Sequence, residues 1–323
     1  MKTILVFIFS VISFALFSNN LIDTTASAKI PDSIKYWKTQ FYSAVHFNQV
    51  SLVNWAKGGE SSLSGRATMK VKANYKKENF NFQNDLKFLY GIMGTKELKM
   101  QKTDDQIYLR SSVGYKAFKN WFYSMAFDVK TQFSNGYKYP NDSVKVSKFF
   151  APAYITLSAG LDFKPTKYFS VLFSPASGKL TLVLDQDLAN KGAYGVTPGI
   201  IDDSTGAVLV KGKNQKAEFG INLVMKFEKE LVKNINAEST LNLYNNYFDE
   251  NMPNRWNIDV DWESNITFSV NKHISTELYL RMIYDHDINI AVYDIVDGVN
   301  VKVGEGPRLQ LNQSFGVGLS FKF

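Results

Sequence analysis

The sequence contains no cysteine. Disulfides, thiol nucleophiles and cysteine-ligated metals are therefore excluded, and stability has to come from strand closure. Histidine is scarce, with 3 in 323 residues, which leaves few places for acid–base chemistry. Beyond the N-terminus, lysine, aspartate or asparagine interrupts every apolar run before the roughly 20 residues that a membrane helix needs. A membrane protein built from this chain must cross with strands.

What is present starts with an export signal. Met1-Lys2 is a short positive region, Ile4 to Phe17 is almost continuously apolar, and Ala26-Ser27-Ala28 offers small residues where a signal peptidase reads. The pattern predicts a cleavable signal peptide over residues 1–28, then a periplasmic linker over 29–40. Lys2 and Asp23 leave together, so the formal charge of +7 survives. In an exported chain that excess suits lipopolysaccharide phosphates or anionic solutes better than nucleic acid.

The final stretch, from Arg308 to Phe323, separates by twos. Leu309, Leu311, Gln313, Phe315, Val317, Leu319, Phe321 and Phe323 share one face, against Gln310, Asn312, Ser314, Gly316, Gly318, Ser320 and Lys322. A period of two marks a strand, and about 10 residues suffice to cross a bilayer at a barrel's tilt. The pattern recurs. Met69, Val71, Ala73 and Tyr75 oppose Thr68, Lys70, Lys72 and Asn74; Phe82, Leu86 and Phe88 oppose Gln83, Asp85 and Lys87; Trp256, Ile258, Val260 and Trp262 oppose Asn257, Asp259, Asp261 and Glu263. Connections near residues 78, 119, 166, 230 and 272 are brief, and those between them are mostly longer.

The reading is an all-β protein: an antiparallel transmembrane β-barrel of about twelve strands over 41–323, with short periplasmic turns and long extracellular loops. An even count puts both ends of the mature chain in the periplasm. The longest external loop is expected over residues 174–216; its alternation of Leu180, Leu182 and Leu184 fits either a strand outside the membrane or a plug. A soluble sandwich or lipocalin-like barrel also alternates; strand length, loop asymmetry and the C-terminal aromatic favour the membrane barrel.

Several spaced motifs carry a resemblance. Phe47-Asn48-Gln49, Ser51-Leu52, Asn54-Trp55 and Gly58-Gly59, then Gly160-Leu161-Asp162-Phe163, Ser174-Pro175, Gly178-Lys179, Leu188-Ala189, Gly192, Gly195 and Pro198-Gly199, resemble an uncharacterised outer-membrane barrel family of Bacteroidota, a domain of unknown function. The resemblance implies an outer-membrane location in a didermal bacterium and no reaction. Read from its own residues, the loop of Asn54, Trp55, Gly58 and Gly59 is a hairpin turn with an interfacial tryptophan, or else an external ligand contact.

No constellation points to catalysis. An outer-membrane phospholipase needs a serine, a histidine and an orienting amide near the outer rim. His46 falls in the first strand, His273 in a periplasmic turn, and only His286 at the right height, without a serine partner in view. Asp285-His286-Asp287, or Asp185 with Asp187, falls short of a metal's ligand set. Ser174 to Lys179 lacks the glycine spacing of a phosphate loop. No cofactor or metal is expected.

The informative residues are the charges on the inward faces: Lys70, Lys72, Asp85, Lys87, Arg110, Lys116, Asp128, Lys130, Asp162, Lys226, Asp259, Asp261, Glu263, Glu277 and Arg281. Mixed charge hydrates a pore or zips it shut. The expected function is transport of small polar or charged solutes; the alternative is a closed accessory barrel that binds lipopolysaccharide or another envelope protein, and a lipid hydrolase is the third reading.

Overall fold

The computed structural model describes residues 36–52, 60–95, 99–139, 141–202, 204–249, 251–296 and 299–323. The signal-peptide region and the loop holding Asn54, Trp55, Gly58 and Gly59 lie outside the described residues. From Trp37 onward the chain is a closed barrel of twelve antiparallel strands. We number them β1 Trp37–Val50, β2 Ser62–Lys77, β3 Phe80–Thr95, β4 Gln101–Phe118, β5 Trp121–Thr131, β6 Ala153–Phe163, β7 Phe169–Leu182, β8 Gln215–Val232, β9 Ile235–Asn246, β10 Asp259–Ser269, β11 Ile274–Tyr284 and β12 Gln310–Lys322. Each strand pairs with its sequence neighbours, and β1 closes on β12 with Tyr42 opposite Lys322 and Phe47 opposite Val317. Closure removes the edges that an open sheet would expose.

Period-two sequence becomes a two-faced wall. Phe47, Tyr123, Met125, Leu157, Leu311, Phe315 and Leu319 are each about half exposed on the outside, whereas Lys70, Arg110 and Lys130 line the lumen. An apolar exterior over a polar interior inverts the soluble arrangement and is that of a membrane-spanning barrel. Aromatic pairs cluster at the short-turn end. Trp37 contacts Tyr75 with ring centroids 5.4 Å apart, and Trp121 contacts Phe163 at 4.6 Å. These are the rings of an interface girdle.

Four boundaries differ from the sequence expectation. β1 begins at Trp37 rather than 41. β3 and β4 run on to Thr95 and back from Gln101, so the connection between them, expected to be one of the longer ones, is short. Trp256 is not in a strand; it ends a short 3₁₀ turn, Met252–Trp256, before β10 starts at Asp259. The largest change is at β7, which continues through Ser174 to Leu182 and shortens the longest loop to 183–214. The cause is a β-bulge: Ala159 pairs with Ala176 while Leu161 pairs with Phe173, so β7 carries one extra residue. Leu172 and Ser174 face inward before it, Ser177 and Lys179 after it. Ser174 Oγ donates to the Ala159 carbonyl at 2.7 Å, which gives that backbone acceptor a partner at the bulge, and Ser177 Oγ donates to Ser158 Oγ at 2.9 Å.

The 183–214 loop is folded. A five-residue helix, α1 Gln186–Asn190, is capped by Asp185, whose side chain accepts from the Leu188 amide. Ala151, Val183, Leu188, Ala189 and Val196 form a small core, with Tyr194 packed against it. Gly192 and Gly195 take left-handed φ of 67° and 79°, conformations that cost glycine nothing. A Cβ on Gly195 would sit 3.1 Å from the Cβ of Asp287, so this loop lies directly against the one that follows β11. Three short antiparallel hairpins, Gly136–Tyr137 with Lys145–Ser147, Ile200–Ile201 with Val208–Val210, and Asn289–Val296 with Val299–Pro307, decorate the same end.

Candidate functional site

The lumen holds a cavity of about 570 Å³. Twelve of the inward charges named from sequence line it: Lys70, Lys72, Asp85, Lys87, Arg110, Asp128, Lys130, Lys226, Asp259, Asp261, Glu263 and Arg281. Three do not. Asp162 lies toward the short-turn end and pairs with Lys164 at 3.0 Å. Glu277 belongs to a separate buried cluster, described below. Lys116 is a correction: it has the inward parity of β4, but it is exposed at the short-turn rim, past the point where the wall encloses anything.

The arrangement of the charges decides what the lumen is. Lys70 on β2 bonds Glu238 on β9; Lys72 on β2 reaches Glu228 on β8; Lys87 on β3 bonds Glu263 on β10; Lys130 on β5 bonds Asp261 on β10; and Lys226 on β8 reaches Asp85 on β3 at 3.0 Å. In a ring of twelve, these partners stand five or six strands apart. The bonds therefore cross the bore from one wall to the other. Arginines pair along the wall instead: Arg110 with its β5 neighbour Asp128 at 3.0 and 3.2 Å, and Arg281 with Asp261 at 3.1 and 3.2 Å. Tyr108 donates to the same Asp128 at 2.6 Å.

Toward the long-loop mouth the lattice takes in Lys179 and Lys216, which the sequence places in the 174–216 loop. Lys179 contacts Asp259 at 3.1 Å and Glu218 at 3.4 Å, and Lys216 bonds Asp287. Tyr194, from the folded loop, lines the same cavity and donates to the Val146 carbonyl at 2.7 Å. Beyond the end of β11, burial pushes the Asp285 carboxyl up to about 6, with Lys179 opposing and Asp259 reinforcing. On α1, burial is outweighed by hydrogen bonds from Lys145, the Leu188 amide and Lys148, and Asp185 is held down at about 2. Asp185 is thus a helix cap with two lysine partners.

Residues 47–137 match the model of a family described as "Protein of unknown function (DUF3078)". The match takes in the first group of motifs and under a third of the chain. No curated protein matches. Among solved structures, the chain is similar to an outer membrane channel from Pseudomonas putida F1 at 9% identity, covering 94% of this chain and 100% of that one with a TM-score of 0.39. It is also similar to outer membrane phospholipase A from Escherichia coli, at 9% identity over 94% of this chain and 96% of that one, TM-score 0.33. A third likeness is to the translocator domain of the autotransporter NalP from Neisseria meningitidis, at 11% identity over 100% and 98%, TM-score 0.31. Likenesses at these scores carry no functional argument, and the barrel stands on its own strand pairing.

A second inward cluster, at the seam between the terminal strands, joins Glu277, expected from its parity, to Arg66 and Asp104, which the sequence reading missed. Arg66 on β2 contacts Asp104 on β4 at 2.7 Å and Glu277 on β11 at 3.5 Å, and its guanidinium lies 3.9 Å from the Tyr279 ring centre. Asn312 on β12 donates to Asp104 at 3.0 Å. Beside it His46 Nε2 lies 3.1 Å from Ser275 Oγ, and His46 Nδ1 is 3.8 Å from Glu277. Serine, histidine and carboxylate stand in nucleophile–base–orienter order. Ser275, however, is wholly buried, and none of the three lines the lumen cavity. His286, the histidine at the outer end, donates its backbone amide to Asp259 at 3.4 Å.

Proposed function

We propose that this chain is an integral outer-membrane barrel of a didermal bacterium that passes small polar or charged solutes through a lumen held shut at rest. The observation that carries the reading is the set of five cation–carboxylate bonds spanning opposite walls around a charge-lined chamber. An open water-filled bore would leave those lysines solvated at their own walls, as in wider porins. Crossing bonds act as reversible struts, because a lysine stem is flexible and its charge finds another partner when displaced. In this reading residues 1–28 direct export and are removed, the short turns and both ends of the mature chain are periplasmic, and the long loops face outward. The role is one of passage, without a reaction. The Bacteroidota family resemblance fits this location.

A second reading rests on the same crossing bonds. A permanently closed barrel would act as an accessory, holding lipopolysaccharide or another envelope protein. Its surface for that purpose would be the outer loops, where Ile200, Ile201, Val208, Leu209 and Val210 of one hairpin are all exposed, and the basic excess of +7 suits lipid phosphates.

Single-channel recording on the refolded mature barrel separates the two. The wild type is expected to be mostly silent with brief openings, and Lys70→Met/Lys87→Met, which removes two struts, to open for longer. Steady large conductance in the wild type would refute a closed resting lumen. A folded double variant that stays silent would refute passage and leave the accessory role.

A further inference from the structure

Inside the cavity the formal charges are largely consumed by one another. What they leave over is neutral. Asn222 Oδ1, Asn242 Oδ1, Tyr244 OH and Gln106 Oε1 are buried without a hydrogen-bond partner in the protein, and all four residues line the cavity. Asn222 is 2% exposed and Tyr244 is 6%. Such groups are rare in native proteins, because each one left unpaired has given up its hydrogen bonds to water without replacing them.

Register places three of them together. Asn222 on β8 stands opposite Tyr244 on β9, which stands opposite Asp259 on β10; Asn242 is the next inward residue of β9 and stands opposite Asp261. Lys179 Nζ lies 4.9 Å from the Tyr244 ring centre while bonding Asp259, so it braces both the ring and the carboxylate. The result is a wall patch of two amides and a phenol, flanked on the same inward face by satisfied charges. Tyr154 and Tyr194 line the same cavity and add aromatic faces.

We infer that this patch binds a neutral polyhydroxylated solute of the saccharide class, a step that rests on the solute-passage reading and names what passes. The amide oxygens accept and the phenol accepts or donates, so the complementary ligand brings several O–H donors. A charged ligand would have to break existing ion pairs and leave a buried charge bare, whereas a neutral one leaves the lattice intact. The cavity volume of about 570 Å³ falls within the usual range of small-molecule sites, about 300–1,000 Å³.

The test is calorimetric titration of the full refolded barrel in detergent with glucose, maltose, glucosamine and glucose 6-phosphate, which separates neutral from charged sugars on a common frame. Glucose or maltose is expected to bind better than either charged sugar. Tyr244→Phe, which removes one hydroxyl from an otherwise unchanged ring, should weaken binding three- to tenfold, and Asn242→Ala should do at least as much. Absence of glucose and maltose binding by a barrel that remains heat-modifiable overturns the site, as does binding unchanged in both variants. Preference for glucosamine or glucose 6-phosphate overturns the neutral class. A barrel that conducts once its struts are cut but binds neither neutral sugar keeps the pathway and loses this site. One that binds neutral sugar yet never conducts keeps the site and loses the pathway.

Discussion

Arg66 is the residue whose loss should cost this barrel most. It bridges Asp104 and Glu277 at 2.7 and 3.5 Å, and the three side chains are only 9%, 7% and 4% exposed. Arg66→Met would keep the packing volume and strand both carboxylates. Removing one partner of a buried pair costs about 3–5 kcal/mol, because the survivor stays desolvated without its counter-charge. Here Asp104 keeps the Asn312 amide at 3.0 Å and Glu277 keeps the Asn265 amide at 3.2 Å, which puts the expected loss near the lower end, about 3 kcal/mol. The cluster joins β2 and β4 to β11 and β12 across the closing seam, so the loss should appear as easier opening of the whole barrel. Urea unfolding in detergent, followed by the gel shift of folded against heated protein, measures it. The triple variant Arg66→Met/Asp104→Asn/Glu277→Gln removes the stranded charges and should recover most of the stability. A single variant that loses less than about 1 kcal/mol, or a triple as weak as the single, would refute the buried-charge reasoning.

Three further outcomes are expected. A Cβ at Gly318 would lie 1.9 Å from the Val45 carbonyl oxygen, so Gly318→Val should abolish the heat-modifiable band by blocking closure of β12 on β1, whereas Gly304→Val, with nothing within 4 Å, should leave it unchanged. Asp185, held at about 2 against an ordinary 3.8, adds stability that is complete above the ordinary value and lost as pH falls through about 2; pepsin nicking of the 183–214 loop should rise steeply in that window, and Asp185→Asn should be nicked already at its upper edge. Asp285, pushed up to about 6, has the opposite sign: its contribution is complete below the ordinary carboxylate range and lost as pH rises through about 6. Melting temperature in detergent should therefore fall between about pH 4 and pH 6, and Asp285→Asn should remove that part of the fall.

The fold was legible because the side-chain period of a strand is two and most strands keep it over their length. Where the period broke, so did the reading. Before the bulge in β7, Leu172 and Ser174 point inward; after it, Ser177 and Lys179 do, and no parity count from either side joins the two halves. Leu180 and Leu182 thus looked detached, and Lys179 stayed in a loop. Arg66 and Asp104 were missed for a different reason. Each shares the parity of an inward residue already identified: Arg66 lies two pleat repeats before Lys70 and Asp104 three before Arg110, and carrying the count that far would have found both. Which carboxylate each lysine meets was not legible at all. Parity fixes the face, but pairing across a lumen depends on the tilt and relative height of strands far apart in the ring, which only closure sets.

On the solute-passage reading, the division of labour between lysine and arginine would give the lumen a way to open. Asp261 is bonded from across the bore by Lys130 and along the wall by Arg281; Glu263 bonds Lys87 across the bore while Arg281 stands opposite it in register; Asp85 meets Lys226 across the bore and has Arg110 opposite it in register. Each of these three carboxylates has a rigid guanidinium beside it and a flexible ammonium from the far wall. When a lysine swings away, the carboxylate it leaves still has a cation beside it, so parting costs less than stranding a buried charge. Arginine loss should behave differently from lysine loss. Arg281→Met leaves Asp261 and Glu263 dependent on their struts, which should hold the lumen shut and lower stability, whereas Lys87→Met should lengthen openings with a smaller stability cost. Equal conductance from the two variants would show that the struts and the wall cations are interchangeable, and the gate would then have to lie in the folded 183–214 loop.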